Sequence, residues 1–414
     1  MKIKFNPKIL ILVTFIVVLF SYYCLPSIRY SIKYNYVTIA CMGIVFLVYF
    51  CYINITVQQL IVRLMICLSL CFIIYYIVPY SLGLKNALNE LQQMIIFATP
   101  MVITSWIISN NQYRAAKLIL LTILLSLLVV MFKTHIALSD NPFVCRVLAK
   151  GTNLDSYLNG LRRDNVGGLG FAYSMGPLCF VSFYFTKHNK GILRIIAILV
   201  TCLSAIFIVR SQFATLFILT FSFSAIMFAK NIRSTTIKLT IIITVIVFSF
   251  LLQTICMFIA DTLSESFPTL SYRFADLANY FNEGELESSR GDRIVDTLNL
   301  FLKGPIIGVV GCRVNPDLNS IILRTHAGNI SKLAEIGIVG FGIYMLNFGV
   351  AWKYIKKLLK KHDCHVLPFD ISVLYLISYG FINTIGQVFE LSIMVYTFVP
   401  LALYTCRKLD EKKK

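Results

Sequence analysis

Apolar positions along this chain come in long runs rather than in alternation. Stretches near 8–25, 36–54, 60–79, 91–109, 117–133, 167–186, 192–209, 211–229, 237–260, 333–352, 369–387 and 391–406 are almost continuously apolar. Runs of roughly 18 to 20 residues match the length a helix needs to cross a hydrocarbon core of about 30 Å. The pattern predicts an all-α polytopic membrane protein with about twelve transmembrane helices, residues 1–414 forming a single membrane domain. The first run follows Lys2, Lys4 and Lys8. Its length and the lack of a small-residue cleavage pattern predict a retained helix rather than a removed signal peptide.

Polar positions concentrate between the runs, and two connections, 134–166 and 261–332, are long. Connections of that size are usually functional. The first carries Arg146, Arg162 and Arg163. The second carries Arg273, Arg290, Arg293, Arg313 and Arg324, with Asp261, Glu265, Asp276, Glu283, Glu285 and Glu287 among them. Within it, SSRGDRIVDTLNLFLKGP (288–305) changes to a helical period. Ile294, Val295, Leu298, Phe301 and Leu302 fall on one face, and Asp292, Arg293, Asp296, Asn299 and Lys303 on the other. Ser289 with Asp292 resembles a capping box, and Gly304-Pro305 ends the pattern. The expectation is an amphipathic helix over 290–303 lying at the membrane interface, its apolar face towards acyl chains or towards the bundle.

Composition agrees with this reading: 58% of residues are apolar and only 14% charged, with a mean hydropathy of +0.78. The net charge of +19 would suggest nucleic acid if it were spread over one surface. It is instead sorted by connection. With the N-terminus inside, the inner segments collect the N-terminal lysines, Arg114 and Lys117, Lys187 to Arg194, Lys230 to Lys238, Lys353 to Lys361 and the C-terminal cluster. The short outer connections hold only Arg29, Lys33, Lys85 and Arg210. Short loops obey the positive-inside rule, so both termini are expected in the cytoplasm and both long connections outside. Cysteine adds little, since most thiols fall in apolar runs, and Cys145 and Cys312 are expected to stay unpaired. His362-Asp363-Cys364-His365 reads as a solvated inner loop rather than a metal site.

Two features carry candidate chemistry. Arg210 stands between two runs with almost no loop around it, which forces its charge to the membrane edge, where charges are costly and often functional. Arg324 and His326 precede a glycine-rich apolar run that contains Glu335. Gly337, Gly340 and Gly342 in that run read as positions where a neighbouring helix packs closely.

Residues 289–308, with Ser289-Arg290, the helix and Pro305-Ile306-Ile307-Gly308, resemble the signature loop of the O-antigen polymerase (Wzy-type) and O-antigen ligase superfamily of lipid-linked polysaccharide enzymes. Arg324-Thr325-His326, Asn329, Leu333, Glu335, Gly337 and Gly340 resemble the start of the span that follows in that family. Ala327 and Gly328 separate His326 from Asn329 where the family has His and Asn adjacent, and Ile294 stands where it often has an aromatic. Arg210-Ser211 and LRRDNVGGLGF (161–171) resemble two further arginine-bearing elements. The likeness covers about the C-terminal two thirds of the chain and rests on the order of these elements in a chain of about twelve spans.

The resemblance implies a GT-C-like helical architecture in the bacterial inner membrane, multi-pass, with the active site on the outer side. It implies a metal-independent glycosyltransferase without cofactor, acting on undecaprenyl-pyrophosphate-linked oligosaccharides, membrane lipids around it. A polymerase would pass the growing O-antigen or capsular glycan onto a new lipid-linked unit. A chain-length regulator and a flippase are implied partners, and nucleic acid is not. O-antigen ligase is the alternative within the class, and a lipid-linked oligosaccharide flippase the alternative outside it. His326 would act on the acceptor hydroxyl, and Arg290 and Arg210 would hold the pyrophosphate. Arg162, Arg163, Arg293 and Arg324 would assist them, and Glu335 would bind sugar, orient His326 or support the helix. Guanidinium groups suit that task because they stay charged and grip phosphate oxygens bidentately.

Overall fold

The computed structural model describes residues 7–51, 54–77, 83–141, 143–150, 156–188, 190–211, 213–230, 252–268, 270–272, 274–275, 278, 290–308, 328–383 and 389–411. The described chain is helical, and no strand occurs among the described residues. The first half runs α1 (Pro7–Cys24), α2 (Pro26–Ser31), α3 (Tyr34–Cys51), α4 (Ile55–Ile77), α5 (Gly83–Ser109), α6 (Tyr113–Asp140), α7 (Val144–Lys150) and α8 (Ser156–Arg163). It continues with α9 (Leu169–His188), α10 (Ile192–Arg210), α11 (Ala214–Lys230), α12 (Leu252–Leu263) and α13 (Arg290–Leu302). The chain closes with α14 (Gly328–Lys361), α15 (Leu367–Ile382), α16 (Phe389–Ile393), a π-helical turn (Met394–Phe398) and α17 (Val399–Glu411).

Among the described residues, six helical stretches are long and apolar enough to cross a membrane, and four shorter helices are also apolar. The chain is therefore an all-α, membrane-embedded protein. Burial sorts the helices. The stretch Phe389–Arg407 is 94% buried within the protein, whereas Ile55–Ile73 is 33% buried. The last helix is thus an axis around which the others gather, and α4 lies at the periphery with Ile55, Met65 and Ile66 exposed. On that axis Thr397 accepts a hydrogen bond from Thr104 of α5 at 3.1 Å.

The prolines inside α5 and α9 are repaired in the same way. Pro100 lacks the N–H that would bond the carbonyl of Ile96, and the Tyr23 hydroxyl donates to that oxygen at 2.5 Å. Pro177 leaves the carbonyl of Tyr173 free, and the Tyr375 hydroxyl donates to it at 3.2 Å. In lipid no water is at hand to satisfy such a group, so a neighbouring helix must. Gly176 admits the tyrosine: a Cβ there would stand 2.7 Å from the Tyr375 ring.

Connections gather at two ends. At one, Tyr404 donates to Asn111, Arg407 faces Asp363 at 3.9 Å, and the His188 and His365 rings lie 5.8 Å apart. His362-Asp363-Cys364-His365 is more ordered than the solvated loop expected from its composition. Asp363 takes a left-handed conformation (φ 51°), and the Cys364 N–H closes α14 on the Leu359 carbonyl at 3.0 Å, which buries Cys364. Among the described residues no group of three metal-type ligands gathers.

The opposite end holds Arg29, Arg162, Arg163 and Arg210. Here α6 runs on to Asp140 instead of stopping near 133, because Ile136, Ala137 and Leu138 continue its apolar pattern and no helix breaker precedes Asn141-Pro142. The connection expected over 134–166 is thus largely helical, built from the end of α6 with α7 and α8.

Candidate functional site

The site at the arginine end is assembled by short elements. Pro26 opens α2, a favourable first-turn position because its missing N–H has no partner in any helix. On the other side, Asn165 adopts a left-handed conformation (φ 61°) just after α8 and accepts the Ser27 N–H on its side chain at 3.0 Å. The segment is anchored again at Gly167, whose N–H bonds the buried Thr134 hydroxyl of α6 at 2.7 Å. These two bonds fix α8 beside α2.

Two guanidinium groups meet there on one aromatic ring. Arg162 is buried, with its Cζ 4.4 Å from the centre of Tyr30, and the Arg29 Cζ lies 5.3 Å from the same ring. A cation over an aromatic face is attracted by the ring quadrupole, more strongly when water is excluded. Arg29 also donates to Glu390 in the first turn of α16. Burial alone would weaken the Arg29 charge, but the Glu390 carboxylate, followed by Tyr30, more than compensates and raises its pKa above the ordinary guanidinium value. The second oxygen of Glu390, Oε2, is buried and has no hydrogen-bond partner.

Behind this pair lies a polar patch between α9, α11 and α15. The Tyr173 hydroxyl bonds Thr215 and accepts from the Asn383 amide at 3.4 Å, while the Asn383 carbonyl accepts the Gly328 N–H that begins α14. The Tyr379 ring packs 4.5 Å from that of Tyr173. Asn329 donates to the Ile377 carbonyl at 3.2 Å.

Arg210 forms a second cluster. Its Nη1 lies 2.7 Å from His135 Nε2, and its Nη2 donates to the Ser139 hydroxyl at 3.1 Å. Both partners are exposed residues of α6. The guanidinium is therefore held across α6 and α10, with its described contacts separate from those of Arg162.

A third feature joins α13 to α14. The turn after α13 runs Gly304-Pro305-Ile306-Ile307-Gly308, and its carbonyls enter a break in α14. The N–H groups of Ile338 and Val339 bond Pro305 O at 2.9 Å and Ile306 O at 3.2 Å. The break falls at Gly337 (φ 64°), and Gly308 (φ 79°) faces it. A Cβ on Gly337 would stand 2.4 Å from Ile306 O, and one on Gly308 would stand 2.3 Å from Glu335 O. Gly337 is thus a packing position, but the partner is loop backbone and not the helix expected from the glycine pattern. Gly340 is crowded by Ile336 of its own helix, and Gly342 faces open space. Glu335 is buried beside the break and pairs with Lys332 at 3.3 Å.

Of the candidate site residues named from the sequence, Arg162, Arg163, Arg210 and Glu335 have described side chains. Arg162 lies in the cluster with Arg29, whereas Arg163 is exposed at the end of α8. Arg290 and Arg293 are described as α13 backbone alone, and Arg324 and His326, with Ser289, lie outside the described residues. Sequence reading passed over Arg29, Tyr30, His135 and Glu390. The available signal was weak: Arg29 is one of few cations in the short connections of that side, and Glu390 is an acid at the edge of an apolar run. Compared with known proteins, the chain matches no family model and no curated sequence.

Proposed function

We propose that this chain is a polymerase of undecaprenyl-pyrophosphate-linked oligosaccharide repeat units, making O-antigen or capsular polysaccharide. In this reading it crosses the bacterial inner membrane about twelve times with a GT-C-like arrangement, both termini inside and the arginine end outside. The observation that carries the reading is the pair Arg29 and Arg162 on Tyr30, built at the end of the bundle where the sequence concentrates its other arginines. Fixed cations at a membrane edge are what a pyrophosphate leaving group requires.

The chemistry follows from charge. An acceptor hydroxyl oxygen attacks the anomeric carbon of the growing glycan, and its proton passes to a base, His326. The bond from that carbon to the lipid pyrophosphate breaks, and its electron pair leaves with the phosphate oxygen. Negative charge grows there, and guanidinium groups already in position stabilise it without reorganisation. Arg162, Arg210 and Arg290 are assigned to this role, with Arg29 added by its position and Arg163, Arg293 and Arg324 nearby in sequence. Glu335 is assigned to support of the α14 break through Lys332.

The test replaces Arg162, Arg210 or Arg290 by Ala in the native host, at matched protein levels, and examines surface polysaccharide. Single repeat units on the final acceptor are expected. Chains of normal length in all three variants would remove the pyrophosphate role. Lipid-linked polymer that is never attached would identify a ligase, and lipid-linked units held on the inner leaflet would identify a flippase.

A further inference from the structure

The exposed surface of α13 divides into stripes that the helical period alone does not separate. Thr297 and Leu300 are buried and Phe301 half-buried, and this face packs on α14. Asp296, Asn299 and Lys303 form an exposed polar stripe. Val295, Leu298 and Leu302 form a third stripe, apolar yet 54%, 39% and 69% exposed. The apolar residues of the amphipathic pattern are thus split, part covering the bundle and part left open.

The open stripe does not end with the helix. Ile306 and Ile307 in the next turn are 66% and 69% exposed. Their turn is bonded through backbone to Ile338 and Val339 of α14, which are themselves exposed. Since α14 is long and apolar enough to span a membrane, its exposed apolar residues belong to the lipid-facing belt. The stripe on α13 is continuous with that belt through the Gly308–Gly337 crossing, and the polar stripe flanks it.

We propose that α13 is seated in the bilayer. Val295, Leu298, Leu302, Ile306 and Ile307 are immersed among the acyl chains of one leaflet, and Asp296, Asn299 and Lys303 remain at the head groups and water. A helix with one protein face, one lipid face and one aqueous face lies parallel to the membrane surface at the depth where its polar and apolar stripes meet. The backbone bonds at Gly337 set that depth, because they tie the helix to a spanning element.

The full chain is reconstituted into vesicles of phosphatidylcholine and phosphatidylglycerol. A ketone-bearing amino acid replaces Leu298 or Leu302 on one stripe, or Asn299 or Lys303 on the other, and carries a hydroxylamine spin label. This chemistry avoids the native thiols, of which Cys202 is exposed. Collision rates are measured with oxygen, which partitions into acyl chains, and with a water-soluble nickel chelate. At 298 and 302 oxygen collisions should exceed nickel collisions severalfold, and at 299 and 303 the ratio should invert. Nickel accessibility at 298 and 302 equal to that at 299 and 303 would overturn the proposal. Protection from both reagents, or dipolar coupling between labels at 302 in different molecules, would overturn it too, by showing protein or a second copy on this face. Position 295 gives an independent reading of the same stripe if one labelled protein fails to accumulate.

Discussion

Arg29 and Glu390 illustrate how single side chains are constrained in this interior. Glu390 is 2% exposed, and the carboxylate is compatible with that burial because Arg29 meets it. Taking one partner away strands the other charge, whereas taking both removes the demand. Arg29→Ala is therefore expected to destabilise the protein by about 3–5 kcal/mol, read as a fall in melting temperature in detergent. Adding Glu390→Ala should recover a large part of that loss, and an additive double variant would mean that the two residues are independent. The pair was illegible in the sequence. Its members stand 361 positions apart, one in a short connection and the other at the start of an apolar run, and only the packing of α16 beside α1 brings them together. Arg162 was legible as a candidate from its place in a long connection, but its stacking on Tyr30 was not, since an aromatic so near a span end more often simply faces lipid head groups.

At the scale of helices, the prolines were visible as interruptions while their remedies were not. Pro177 announces a free carbonyl at Tyr173, but nothing in the order of residues says that Tyr375 will supply the missing proton. Tyr375→Phe should leave that carbonyl unsatisfied at a cost of about 1–3 kcal/mol. A second change discriminates this from simple loss of packing. Pro177→Ala restores an N–H to α9, so Tyr375→Phe should cost much less in that background; equal costs in both backgrounds would sink the account. The extent of α13 was legible because its period is clear and Gly304-Pro305 stops it. Which part of its apolar face meets protein and which stays open was not, because the angular position of α14 is a tertiary property. The same limit explains the glycines of α14. Their spacing suggested a helix partner, and backbone from the preceding turn took that place at Gly337.

For the molecule as a whole, hydropathy was the dependable guide, since lipid forces backbone groups to pair within helices and so makes the runs of the sequence into the elements of the fold. The arrangement around a central last helix was hidden, because Phe389–Arg407 is no more apolar than its neighbours and differs only in being enclosed. Membrane orientation is a global property too, set by the sum of many lysines and arginines. Reporter fusions after α6 and after α17 should therefore read opposite sides, with the second in the cytoplasm. The same side for both would reverse or break the proposed topology.

The crossing of Gly308 and Gly337 has a consequence for how this chain can change over time. Each glycine occupies space that the other segment's backbone already fills, so neither position has a conservative replacement and no second-site change of side chain can make room. Ordinary contacts between side chains can drift as a pair, one growing while the other shrinks. A contact between two main chains offers no such route. The turn after α13 and the break in α14 must be inherited together, as one unit divided between two consecutive elements.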